Sequence, residues 1–286
     1  MDTELLKTFL EVNRTRHFGK AAENLYLTQS AVSARIRLLE DLLGTSLFTR
    51  ARNNVQLTPQ GERLVRHADT ILNAWTRAKQ EVAVSNVSNL TLSVGGIASL
   101  WDIFLQDWLH AISTGIPGLS LTAEVLSNDI LIRRIRDRTL DLAFTFESPQ
   151  VSEVKVEEIV TVSLIMVSTH AGLDSQRALS HGDYVLVDWG TGFAVAHAQA
   201  FPEMEPPRLR FGLGRLAHDF VLARGGSLYL PERVIRDELQ TGLLHRVSGA
   251  PAMKRAAYAL FSADASQDGL IEQVLQVGLE SARGSS

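Results

Sequence analysis

The sequence predicts a multidomain α+β chain: an N-terminal winged helix-turn-helix, a long linker helix and a C-terminal α/β body. Three observations predict it. Apolar residues recur at helical spacing through the first 43 residues and lead into a short basic hairpin. A seam of apolar residues then runs from Leu64 to Val82 in steps of four and three. Beyond residue 89 short apolar runs alternate with helix-length segments, the pattern of sheets covered by helices. A chain of 286 residues is also long for one core. Domains are therefore expected at 1–58, 59–88 and 89–286.

Leu5, Leu6, Phe9, Leu10 and Val12 define a first amphipathic helix ending near Arg14. A second runs from Phe18 to Leu25, its Ala21-Ala22 pair small enough for close helix approach. Tyr26-Leu27-Thr28 is a short connector, and Thr28 can cap the third helix, Gln29 to Leu43, which stops at Gly44. In that helix Val32, Ile36, Leu39 and Leu43 form an inward stripe, and Ser30, Ser33, Ala34, Arg37 and Asp41 lie opposite. Hydroxyls, a small apolar residue and an arginine suit a major groove. The hydroxyls reach base edges or phosphates, Ala34 a thymine methyl, Arg37 guanine or phosphate, and Gln29 adenine or phosphate. The hairpin follows at Leu47 to Leu57, with Asn53-Asn54 as its tight turn and Arg50 and Arg52 as wing cations for the backbone or minor groove.

Charge is unevenly spread. The net charge is −4, yet through Val84 there are 12 Lys and Arg against 9 Asp and Glu, about +3, leaving about −7 for the rest. A mildly basic first third beside an acidic body fits contact with nucleic acid. There is no cysteine, which removes disulfides, thiolate metal sites and thiol nucleophiles. No apolar stretch spans a bilayer, and Met1-Asp2-Thr3-Glu4 has no basic start, so neither membrane nor secretion is expected.

Thr58-Pro59 is a helix start, a hydroxyl cap with proline in the first turn. Leu64, Ala68, Ile71, Trp75, Ala78 and Val82 then give nearly three heptads, so this helix is expected to dimerise. A single helix laid on its own domain is the alternative.

Phe18-x-x-Ala21-Ala22-Glu23-x-Leu25-x-x-Thr28-Gln29-Ser30-Ala31-Val32-Ser33 resembles the signature of LysR-type transcriptional regulators. So do Ile36-x-x-Leu39-Glu40-x-x-Leu43-Gly44-x-x-Leu47-Phe48-x-Arg50 and Leu57-Thr58-x-x-Gly61. The resemblance covers residues 2–65 without a gap. It implies a sequence-specific regulator, not an enzyme, that binds inverted-repeat promoter DNA as a homodimer or homotetramer. RNA polymerase would be reached indirectly, the cell compartment would be the cytoplasm at the nucleoid, and no cofactor is implied. Family DNA contacts fall on Thr28, Gln29, Ser30, Ser33 and Arg37, with Arg50 and Arg52 in the wing, and Ala34, Arg35 and Thr58 complete the candidate DNA-binding set. Many members carry arginine where this chain has Ala34, and Arg35 is the neighbour available to replace it in part. The runs Met1–Val12, Thr15–Gly19 and Leu25–Thr28 look closest to the HdfR branch, whose likeness implies a flagellar target.

In the body, Leu90–Gly95, Leu119–Leu126, Leu140–Phe146, Val162–Ser168, Tyr184–Asp188, Leu209–Gly212, Leu228–Leu230 and Ala256–Phe261 are expected as strands. Helices are expected at Ser99–Ser113, Asp129–Arg138 and from about Ala265 to Ala282. The alternation implies mainly parallel sheets. The family resemblance implies two lobes of the periplasmic-binding-protein type (type 2) around an unidentified small-molecule effector. Lobe one would take about 89–160 plus 263–286, and lobe two about 161–262. Arg138-Thr139-Leu140-Asp141-Leu142 corresponds to the family's G-x-x-D-L segment, with Thr139 as the variation.

Ligands of open α/β sheets sit at strand C-terminal ends against helix N-termini. That picks Ala98, Ser99, Leu100, Thr145, Phe146, Trp189, Gly190, Thr191 and Gly214 as effector-binding candidates. The Ser99 and Thr191 hydroxyls could equally be helix caps. Other signals lead away from catalysis. Gly212-x-Gly214-x-x-Ala217 imitates a dinucleotide fingerprint but lies far from any first βαβ unit. The eight histidines are scattered without i+3 or i+4 partners, and no nucleophile elbow or phosphate loop is present. A solute-binding protein with an N-terminal extension is the alternative, and the missing signal peptide weighs against it.

Overall fold

The computed structural model describes residues 2–51, 54–83, 90–180, 182–263 and 268–284, in two units, Met1–Val87 and Ser88–Ser286. No described helix is long and apolar enough to cross a membrane.

In the first unit α1 (Thr3–Thr15), α2 (Phe18–Asn24) and α3 (Gln29–Leu43) precede the hairpin β1 (Phe48–Ala51) and β2 (Asn54–Leu57), and α4 (Pro59–Ala83) follows. Each helix start is capped by a side chain. Asp2 accepts from Glu4 N–H, His17 Nδ1 from Gly19 and Lys20 N–H, and Thr28 Oγ1 from Ala31 N–H. α3 ends as expected at Gly44, φ 65°. The core joins Leu5, Leu6, Phe9, Val12, Ala21, Ala22, Val32, Ile36, Leu39, Leu47 and Phe48 to Ala68 of α4. Leu43 is not part of it. Leu43, in the last turn of α3, stands 45% exposed. The hairpin also closes one residue earlier than expected. Ala51 pairs with Asn54, so Asn54 is strand, and residues 52 and 53 lie outside the described residues.

The second unit opens with β3 (Thr91–Gly96), α5 (Ala98–Leu100), a π turn (Trp101–Leu105), α6 (Gln106–Gly115), β4 (Ser120–Val125), α7 (Asn128–Arg136) and β5 (Leu142–Thr145). There follow β6 (Val154–Ser168), α8 (Ser175–Ser180), β7 (Tyr184–Val187), α9 (Thr191–Ala200), β8 (Leu209–Phe211), α10 (Gly214–Arg224) and β9 (Ser227–Pro231). α11 (Arg236–Thr241), β10 (His245–Arg246), β11 (Met253–Ser262) and α12 (Asp268–Gly284) complete it. The sheet order is β4-β3-β5-β11-β6-β9-β7-β8, with β10 on β6.

The sheet is mixed, not mainly parallel. β3 pairs parallel with β4 and β5, and β7 with β8 and β9, but β6 and β11 lie antiparallel to each other and to the flanking β9 and β5. These two strands carry the chain between the lobes in opposite directions. Val154–Glu158 pairs with Tyr258–Ser262 beside β5, and Leu164–Ser168 pairs with β9. Their register shifts between Ala257 and Tyr258, where both strands cross over. β11 thus runs on both sides of that shift, paired with β6 along its length and with β5 at its end.

α12 packs on α6 through Gly278, where a Cβ would stand 1.7 Å from the Trp108 ring. The G-x-x-D-L aspartate has a structural task. Asp141 Oδ2 accepts from Ser93 N–H (2.8 Å) and Oγ–H (2.7 Å), pinning β5 beside β3. The glycine position of that segment is Arg138, not Thr139, and Arg138 holds the left-handed φ of 53° there.

Candidate nucleic-acid interface and effector cleft

On α3 the stripe Val32, Ile36 and Leu39 is buried, and Gln29, Ser30, Ala34 and Arg37 are exposed, with Ser33 half-buried. Ser30 Oγ lies 2.9 Å from Thr28 Oγ1, so Thr28 caps the helix and steadies Ser30 at once. Arg35 turns away from this face. Its Nη1 donates to Thr8 Oγ1 at 3.3 Å and lies 3.6 Å from Glu4 Oε2, which ties α3 to α1. Thr58 is likewise engaged: its hydroxyl donates to Ser46 O (2.7 Å) and accepts from Gly61 N–H (3.0 Å), capping α4 as expected. Arg50 lies on β1, but its side chain, like Arg52 entirely, is outside the described residues.

Two residues of this face escaped sequence reasoning. Tyr26 is 96% exposed with φ 54°, so a left-handed turn residue projects a whole phenol just before α3. Glu40 reaches over the following turn, its Oε1 accepting from Leu47 N–H (2.7 Å) and Phe48 N–H (3.3 Å), which fixes where β1 begins. An aromatic in a connector read as Tyr26-Leu27-Thr28 was the available signal for the first; a lone helix glutamate gave none for the second.

On α4 the expected seam divides. Ala68 is fully buried and Leu64 is packed in the unit's own core, so these two face α1 and β2 instead of a partner. Ile71 (37%) and Trp75 (49%) are exposed, Ala78 is half-buried, and the Val82 side chain lies outside the described residues.

In the second unit the strand-end candidates converge in part. Ser99, Trp189 and Gly214 line one small cavity of about 40 Å³ together with Asp102, Arg215 and His218. Gly214 is required there by packing, since a Cβ would stand 2.3 Å from the Trp189 ring, whose Nε1–H donates to Tyr229 O at 3.0 Å. This accounts for the false dinucleotide pattern. Burial raises the Asp102 carboxyl above its usual range, against the opposing pull of Arg215. Neither candidate hydroxyl caps a helix: the capping positions are Ile97 before α5 and Gly190 before α9, both without a side-chain cap. Ser99 is buried and Thr191 exposed.

The other candidates sit apart from that cavity. Leu100 is fully buried in the core and Ala98 half-buried beside it. The Thr145 hydroxyl is satisfied, donating to Asn128 Oδ1 at 2.6 Å and accepting from Glu147 N–H at 3.0 Å. Phe146 lies under the Arg255 guanidinium, 5.4 Å from ring centre to Cζ. Arg255 Nη2 bonds Phe146 O (3.2 Å) and Glu147 Oε1 (3.3 Å) and reaches the start of α9. A Cβ on Gly192 would stand 1.7 Å from Arg255 Nη1, and one on Gly190 3.0 Å from Glu147 Oε1. Arg255 and Glu147 thus clasp lobe one to the α9 N-terminus. A single arginine ahead of an apolar strand gave no sign of this.

Over residues 3–62 the chain matches the family described as "Bacterial regulatory helix-turn-helix protein, lysR family", and over residues 85–283 the "LysR substrate binding domain". The chain belongs to the LysR family. This LysR-family protein is 38% identical over 294 residues to the HTH-type transcriptional regulator HdfR of Yersinia pestis (strain Pestoides F), covering 100% of this chain and 99% of the relative. It matches the HdfR of Yersinia pseudotuberculosis serotype O:1b to the same degree. Among solved structures, full-length CbnR complexed with its target DNA superposes with a TM-score of 0.72 at 20% identity over 100% of both chains. CbnR alone gives 0.68 at 18% identity, over 100% of this chain and 99% of that one. These likenesses agree on the fold, an N-terminal helix-turn-helix with a C-terminal LysR substrate-binding domain. The LysR-family protein is a DNA-binding transcriptional regulator with an effector domain, not an enzyme.

Proposed function

We propose that this regulator binds inverted-repeat promoter sites as a homodimer or homotetramer, with α3 in the major groove, and answers to a small molecule held between its lobes. The observation that carries the reading is the face of α3: its apolar stripe is buried in its own unit, while Gln29, Ser30, Ala34 and Arg37 remain exposed. Ser33 and Thr28 complete that face, Tyr26 flanks it, and Arg50 and Arg52 serve the wing. Pairing through Ile71, Trp75, Ala78 and Val82 of α4 would set two recognition helices one turn of DNA apart. The 38% identity to HdfR supports a target of the same kind, a flagellar control operon, and a place in the cytoplasm at the nucleoid, with RNA polymerase affected through promoter occupancy. The effector reading rests on the two-lobed unit and on the Ser99, Trp189 and Gly214 cavity, with Ala98, Leu100, Thr145, Phe146, Gly190 and Thr191 around it in a supporting role. At about 40 Å³ that cavity holds little more than a water, so effector entry requires its walls to move apart.

A gel-shift titration on the promoter upstream of the protein's own gene tests this. The expected result is a specific shift whose affinity falls steeply with salt, as phosphate contacts release counterions. Equal binding to unrelated duplexes at every salt concentration would reject it.

A further inference from the structure

A second concavity lies in lobe two, away from every cleft residue. A cavity of about 600 Å³ opens between α8, the start of β7 and the segment 201–208 that leads into β8. Small-molecule sites span roughly 300–1,000 Å³. Its floor is apolar, made by Leu179, Tyr184, Phe201 and Met204. That floor is held from beneath. The Tyr184 hydroxyl meets His197 Nε2 at 2.7 Å, and the His197 ring lies 5.7 Å from the Tyr184 ring and 5.2 Å from that of Phe201. One wall carries Pro202, Pro206 and Pro207, whose fixed φ angles leave little chain entropy to lose when a guest binds.

The opening bears both signs of charge. Glu203, Glu205 and Arg208 line it, all three exposed and without an ion-pair partner among the described residues. An anionic guest would meet two carboxylates, and a neutral apolar one would use none of the three charges. A guest with an apolar body, an ammonium and a carboxylate uses all of them: the ammonium against Glu203 and Glu205, the carboxylate on Arg208, the apolar body on the floor. We propose that this cavity is a second ligand site, for a free α-amino acid with a large apolar side chain. Phe201 ends α9, the helix whose first residues pack on Arg255, so occupancy at one end of α9 has a direct route to the clasp at the other.

Calorimetric titration of the full-length protein with L-phenylalanine, L-leucine and L-methionine tests this without DNA, so its outcome is independent of operator binding. The expected result is saturable binding of at least one of them, weakened about tenfold or more in Arg208→Glu and in the double variant Glu203→Gln, Glu205→Gln. Binding should persist in the cleft variant Arg215→Ala. The N-acetyl and amide derivatives of the amino acid that binds, each lacking one charge, should bind at least about tenfold more weakly. No heat from any of the three amino acids overturns the proposal. So does equal binding of the blocked derivatives, or binding that Arg215→Ala abolishes and Arg208→Glu leaves intact.

Discussion

A Cβ placed on Gly61 would stand 2.3 Å from the Leu47 carbonyl oxygen, and backbone has nowhere to swing. Gly61→Ala is expected to cost the DNA-binding unit about 2 kcal/mol, read as a lower midpoint in urea unfolding. The motif Leu57-Thr58-x-x-Gly61 marked the position from sequence, but the reason lies in a contact fourteen residues away in the chain. The two arginines of α3 separate in the same manner. Spacing placed Arg37 on the outward face and Arg35 on the flank of the buried stripe, and Arg35 is drawn to Thr8 and Glu4 on another helix, a partner no local pattern reveals. Arg37→Ala is therefore expected to weaken specific operator binding by about 1–3 kcal/mol with the melting temperature unchanged. Arg35→Ala should do the reverse, lowering the melting temperature with less effect on binding. If Arg35→Ala proves the more damaging to operator affinity, the assignment of the exposed face is wrong.

Helices and strands were the most legible scale, and their partners the least. α3 runs over the residues that its cap, its apolar period and Gly44 indicate, because these signals are local. Periodicity finds a stripe without saying what covers it. It joined Leu43 to Val32, Ile36 and Leu39, although the helix outruns the core it packs on. It also drew one seam along α4, where Leu64 and Ala68 are taken up by the unit's own core. The remaining exposed pair, Ile71 and Trp75, is where a partner helix would have to sit. Trp75→Glu should then shift sedimentation toward the monomer and reduce operator affinity through lost bivalency, while the DNA-binding unit stays folded. An unchanged sedimentation coefficient in that variant would place assembly elsewhere.

The sensor's mixed sheet was the part of the whole molecule hardest to foresee. Alternating strands and helices implied parallel pairing, and the parallel trios β4-β3-β5 and β8-β7-β9 follow that rule. The antiparallel strands between them do not, because β6 and β11 link the lobes instead of closing a helix crossover. Pairings between residues 154–168 and 253–262 arise from topology, which local composition does not encode. The same topology buries an ionisable group. His197 is 5% exposed, its ring packed among Tyr184, Phe193, Phe201 and Tyr229, with no carboxylate against it among the described residues. Burial lowers its pKa from the ordinary 6.5, and it pushes the Tyr229 phenol up to about 12. Below the unfolded value the unfolded chain takes up a proton that the folded one refuses, so stability falls as pH drops through that range. The expected result is a melting temperature that declines between about pH 7.5 and about pH 5.5. His197→Gln, which keeps a hydrogen-bonding side chain beside Tyr184 but does not titrate, should melt lower at neutral pH and show a flatter decline. An equal slope in both proteins would assign the acid sensitivity to other groups.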